Sequence, residues 1–138
     1  MSSGLITFAI GEREYAALLS SVREVVRLEG LADLPGMQRP LAGVIDLRGT
    51  ALPVLDLRPA ALPGDRGDVL VLEGEQDAGL VGVAVDRVRA VVEAGELAQG
   101  GPRGGELPAY VVEVLRGASG PVFLVDLGAM VASARAQR

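Results

Sequence analysis

The sequence predicts an all-β protein: two pseudo-symmetric, five-stranded, barrel-like subdomains sharing one core, followed by a C-terminal helix. Three observations carry that prediction. A hairpin is written twice, as Gly43-Val-Ile-Asp-Leu-Arg-Gly-Thr-Ala-Leu-Pro-Val-Leu-Asp-Leu57 and Val111-Val-Glu-Val-Leu-Arg-Gly-Ala-Ser-Gly-Pro-Val-Phe-Leu-Val-Asp-Leu127. Each copy runs from a strand through Leu-Arg-Gly into a second strand ending in Asp-Leu. The segments upstream repeat as well, with Tyr15 to Val26 lying over Val81 to Val92 so that Val22 and Val88 correspond. Finally, 138 residues that are 49% hydrophobic can bury one full core, and two half-size lobes around it suit this length better than two independent domains.

In chain order, Leu5 to Ile10 reads as a first strand, and Gly11-Glu-Arg-Glu14 as a polar turn into a second over Tyr15 to Leu19. Ser20 and Ser21 interrupt before a strand over Val22 to Leu28, where Arg23 and Glu24 break strict alternation and call for a bulge or a short helical turn. Gly30 to Pro40 is a connection with one helical turn. In the hairpin from Leu41 to Leu57, Pro53 cannot donate to a ladder, which predicts an edge or a bulge. Arg58 to Gly67, short and rich in Pro and Gly, divides the halves; the first subdomain spans about 5–60, the second about 68–127 and the helix about 128–138. Strands follow over Val69 to Leu72, Leu80 to Val85 and Val88 to Val92, and Ala98 to Pro108, with four glycines, reads as a mobile loop before the last hairpin. The total is about ten short strands in two curled sheets.

Composition narrows the function. There is no cysteine, hence no disulfide, thiolate nucleophile or Cys-ligated zinc, and no histidine, the commonest general base and transition-metal ligand. All thirteen basic residues are arginine, which excludes Schiff-base chemistry. A net charge of −5 and only Phe8, Tyr15, Tyr110 and Phe123 as aromatics leave no basic stripe or stacking platform for nucleic acid. No apolar run is long enough for membrane insertion, and Met-Ser-Ser-Gly leads directly into a strand without a signal peptide, so a cytoplasmic location is expected. No cofactor is expected.

Phe8-Ala-Ile-Gly, Glu14-Tyr-Ala, Val22-Arg-Glu-Val-Val26, Gly43-Val-Ile-Asp-Leu-Arg-Gly49, Pro53-Val-Leu-Asp-Leu57 and Val81-Gly-Val-Ala-Val-Asp86 resemble, in order and spacing, the CheW family of chemotaxis coupling proteins. With the second hairpin, the resemblance covers almost the whole chain. It implies a pair of five-stranded barrels, no enzymatic activity, and two partners: the cytoplasmic tip of a chemoreceptor and the regulatory domain of the CheA-type histidine kinase. A receptor-facing groove would then include Val22, Glu24 and Arg48, with Gly49 holding the turn and Gly82 and Val88 on the opposing wall. A helical receptor tip needs apolar anchors and a few polar groups to fix register, which Val22, Val88, Glu24 and Arg48 can supply. A module of the same type in a non-chemotactic kinase pathway is the alternative.

These residues also have structural readings. Arg48 can be a clamp tying the lobes together, the more so because the repeat puts Arg116 at the matching point. Val22 and Val88 can be core, and Gly43 and Gly82 can simply permit close strand approach. Where the family has Asn-Leu-Arg-Gly, this chain has Asp46-Leu47-Arg48-Gly49, a carboxylate expected to neutralise the arginine or aim it inward. The short connector and the early end of the terminal helix are further departures, and together they suggest a divergent or secondary chemosensory array. One enzymatic reading exists: Asp56 and Asp126 end equivalent strands, as the paired carboxylates of a two-lobed hydrolase would. Neither is followed by the Thr/Ser-Gly loop such a dyad needs, and turn or helix-cap roles suit both better. Gly100 to Gly105 is glycine-rich but lacks the Lys-Ser/Thr of a phosphate-binding loop.

Overall fold

A computed structural model describes residues 4–33, 35–58, 66–74, 79–97 and 106–136. The body of the expected connector, the glycine-rich stretch up to 105, and the last two positions of the expected helix lie outside them. The strands are β1 (Gly4–Ile10), β2 (Arg13–Leu18), β3 (Glu24–Arg27), β4 (Leu41–Leu47), β5 (Thr50–Asp56), β6 (Asp68–Glu73), β7 (Leu80–Val85), β8 (Arg87–Glu93), β9 (Val111–Gly117) and β10 (Gly120–Val125), followed by the helix α1 (Leu127–Ala136). The helical turn foreseen near Val22 is a 3-10 turn over Leu19–Ser21, so the third strand starts only at Glu24. Between residues 30 and 40 the described residues form turns and a single bridge, not a helix.

The strands form two five-stranded mixed sheets, one in the order β8-β1-β2-β10-β9 and the other β3-β6-β7-β5-β4. Moving five strands along the chain converts the first order into the second, so the sequence repeat is also a repeat of topology. The sheets nevertheless do not follow the halves. β1 and β2 join three strands of the second half, while β6 and β7 join three of the first, through the parallel pairs β2/β10 and β5/β7. The boundary read between 58 and 67 therefore separates the repeat units and not the sheets.

Alternation of side chains explains this exchange. Along β6, Leu70 and Leu72 enter a core shared with Ile6, Phe8 and Ile10 of β1, whereas Val69 and Val71 point into a second core with Ile45, Leu47, Leu52 and Val54 of their own sheet and Leu28 just after β3. A third core, Leu5, Ala16, Leu115 and Val122, belongs wholly to the other sheet. β1, β6 and β7 are thus buried on both faces, which is why they read as nearly continuous apolar runs, whereas β2 is fully buried only at Ala16 and Ala17. Phe8, Tyr15 and Phe123 line up across β1, β2 and β10, with ring centroids 5.7 and 5.9 Å apart. Helix α1 closes one side of the shared core with Leu127, Met130 and Val131, a spacing that puts all three on one face.

Of the edge-or-bulge expectation for Pro53, the edge is corrected, while the β4–β5 register does shift next to it, between Leu41 and Gly43 opposite Leu55 and Val54. β5 is an interior strand, but its pairing with β7 begins only at Val54, so the proline precedes the part of β5 flanked on both sides.

Candidate functional site

The β4–β5 hairpin closes with a two-residue turn in which Arg48 has φ +50° and Gly49 φ +90°. Positive φ at both central positions is the type I′ pattern, whose twist matches the flanking strands. Glycine adopts it freely; Arg48 is held there by what it and its neighbours bond. The Asp46 carboxylate accepts the Gly49 N–H at 2.7 Å, so this departure from the family's asparagine braces the turn and neither neutralises Arg48 nor turns it inward.

Arg48 instead reaches Glu24 on β3. Nη1 and Nη2 donate to the two carboxylate oxygens at 3.0 and 2.6 Å, a bidentate fork. Because β3 and β4 are the outer strands of one sheet, this pair spans the seam where that sheet curls on itself. The paired backbones of Ala32 and Val44 close the same seam. Arg48 is thus a clamp, though within one sheet and not between lobes as the sequence suggested. The hydrogen bonds from Arg48, opposed by some desolvation and aided by the charges of Arg48 and Arg23, hold the Glu24 carboxyl below the usual range. With its side chain 69% exposed, the guanidinium keeps outward N–H groups free of Glu24.

Val22 and Val88 are both half-buried against the shared core, so the repeat brings its two equivalent valines to one apolar body. The Val88 N–H is held by the Asp68 carboxylate at 2.8 Å. Gly82 lies elsewhere. It is buried in β7 between Val54 and Val71, and a Cβ there would sit 2.6 Å from Val69 Cγ1 and 3.1 Å from Leu52 Cδ2. A buried glycine presents no surface to a partner; it admits neighbouring side chains into the inner core. Gly43 has a similar role, since its Cβ would meet the Ala32 carbonyl at 2.5 Å at the seam. Arg116 does not reproduce Arg48: the second hairpin turns two residues later, leaving Arg116 in β9 opposite Pro121.

The two aspartates of the hydrolase reading have local partners. Asp126 Oδ1 accepts the Ala129 N–H at 3.0 Å, capping α1. Asp56 is bound by Arg58, whose Nε and Nη2 donate at 2.9 Å each and whose backbone N–H donates at 3.0 Å. Burial pushes the Asp56 carboxyl up, but these bonds and the charges of Arg58 and Arg39 leave it below its ordinary value. Neither carboxylate is poised as half of a dyad.

In the sequence, Arg58 marks only the start of the connector. It is the only buried charged residue among those described, 3% exposed. A signal was available: the repeat reads Asp56-Leu57-Arg58 in one half and Asp126-Leu127-Gly128 in the other, so the arginine is a departure from internal symmetry.

The chain is 25% identical to the chemotaxis protein CheW of Treponema pallidum over 146 aligned positions, covering 97% of this chain and 85% of that protein. It is 35% identical to the CheW of Bacillus subtilis over 54 residues and 33% identical to the probable CheW of Rhizobium etli over 93. Those two matches cover 39% and 64% of this chain but only 35% and 59% of the relatives. The crystal structure of the scaffolding protein TtCheW from Thermoanaerobacter tengcongensis superposes with a TM-score of 0.72 over 92% of this chain and 86% of that one, at 21% identity, which supports the fold. The model of the CheW-like domain matches residues 4–135, and the chain belongs to that family.

Proposed function

We propose that the chain is a non-enzymatic adaptor that couples the cytoplasmic tip of a chemoreceptor to the regulatory domain of a CheA-type histidine kinase. The observation that carries the reading is the Glu24–Arg48 clamp with Val22 and Val88 half-buried on one core. A helix laid in a groove needs apolar anchors and polar groups that fix register. The valines serve as anchors, and the outward N–H groups of Arg48 can meet carbonyls or carboxylates on the receptor while Glu24 holds the guanidinium in place. Gly49 sets the turn that presents it. A second surface takes the kinase domain, and control of the kinase follows from occupying both. The names of the relatives, all chemotaxis proteins, support the same reading.

Such an adaptor works in the cytoplasm beside membrane receptors, and no helix among the described residues is long and apolar enough to cross a membrane. Titration calorimetry of the purified chain against the CheW-like domain of each CheA kinase of its genome, then against a receptor-tip fragment, tests the reading. Dissociation constants of about micromolar for one kinase and one receptor class are expected. Absence of binding to any of them, by a folded chain, overturns it.

A further inference from the structure

Arg58 carries a role that neither the fold nor the family assigns. Its guanidinium, 1% exposed, is always charged and so needs partners wherever it is buried. Asp56 takes Nε and Nη2 on one side. On the other, Nη1 donates to the carbonyl of Arg66, where the described chain resumes just before β6. The Arg58 carbonyl in turn accepts from Arg39 Nη2 at 3.2 Å. The negative charge of Asp86, two residues before Val88, further favours the charged guanidinium.

Gly67 shows how closely the returning segment is held. Its φ is +123°, and a Cβ there would overlap the Val85 carbonyl and lie 2.8 Å from Arg58 Nη1. From this segment, two hydrogen bonds lead to the proposed groove. The Gly67 carbonyl accepts the N–H of Leu28 at 3.1 Å, at the end of the strand that bears Glu24. Asp68 Oδ2 accepts the N–H of Val88.

We propose that Arg58 is the positioning residue of the groove: by anchoring residues 66–68 it fixes Leu28, and with it β3, on one side and Val88 on the other. Its removal then alters the spacing of Val22 and Glu24 from Val88 without touching a partner.

The test compares Arg58→Met, Arg58→Lys and Gly67→Ala with the unchanged chain by amide NMR and by receptor-tip titration. Lysine keeps the charge but not the fork, so it cannot hold Asp56 and Arg66 together. The Leu28 and Val88 amide resonances should shift in every variant that folds, and receptor-tip affinity should fall about two- to thirtyfold, the range seen for remote coupling residues. Arg58→Met that folds with both resonances in place overturns the proposal; where it does not fold, Arg58→Lys and Gly67→Ala decide by the same criterion. The affinity result rests on the groove reading and the NMR result does not. A parent chain that ignores the receptor tip while its variants still shift both amides defeats the groove alone.

Discussion

Replacing Gly82 with alanine separates packing from contact at the residue where sequence and structure disagree most. The new Cβ would stand 2.6 Å from Val69 Cγ1 and 3.1 Å from Leu52 Cδ2, both on fully buried side chains. Val69 is β-branched and stiff at χ1, so it cannot easily swing aside. Nor can the backbone retreat, because Gly82 is paired with Val54 on one side and Val71 on the other. Overpacking of this kind costs about 1–3 kcal/mol. At this chain length each kcal/mol lowers the melting midpoint by roughly 3–4 °C, giving a fall of about 3–12 °C. Thermal unfolding followed by circular dichroism reads it directly, with receptor-tip titration at a temperature where the variant is folded. The expected result is a lower midpoint with affinity little changed in the folded protein. An unchanged midpoint with affinity lost would refute the packing argument and return Gly82 to the groove wall.

Glu24→Gln and Arg48→Ala should change the midpoint little, because Arg48 is exposed and Glu24 only partly buried, yet each should weaken receptor-tip binding; a thermal scan beside a titration checks both. Asp126→Ala removes the cap of α1 and should cost about 0.5–2 kcal/mol in denaturant unfolding, with Asp126→Asn close to the parent chain. Asp56 gives stability an acid limb. Its carboxyl lies below its ordinary value in the folded state, so its contribution is complete above the unfolded value of about 4 and is lost as pH falls through the lower folded one. Unfolding midpoints measured from pH 6 to pH 2 should therefore drop less steeply below about pH 4 in Asp56→Asn than in the parent chain.

Much of the fold was legible because its strands are short, regular and written twice. The doubled Leu-Arg-Gly hairpin and the matched Val22 and Val88 gave the strand count and the repeat directly. The pairing of strands was not legible. Nothing local in β1 or β6 says which sheet it will join, since both faces of each are apolar and the choice is made by non-local pairing. The turn at Arg48 was foreseen, but its partner was not: a carboxylate two residues away in sequence, Asp46, was the obvious candidate, and only the curl of the sheet brings Glu24 across the seam. Gly82 was misplaced for the same reason, because a strand glycine reads alike whether it faces a partner or a crowded core. Arg58 escaped notice because an arginine beside a Pro-rich connector resembles any solvated loop residue until its burial is seen.

Reconstitution tests the proposed coupling of receptor to kinase most directly. Kinase autophosphorylation would be measured with the CheA-type kinase, a receptor cytoplasmic fragment and the chain together, and again with each omitted. Receptor control of the kinase is expected only when the chain is present, and is expected to be lost with Arg48→Ala. Kinase activity that responds to the receptor equally well without the chain would contradict the proposal.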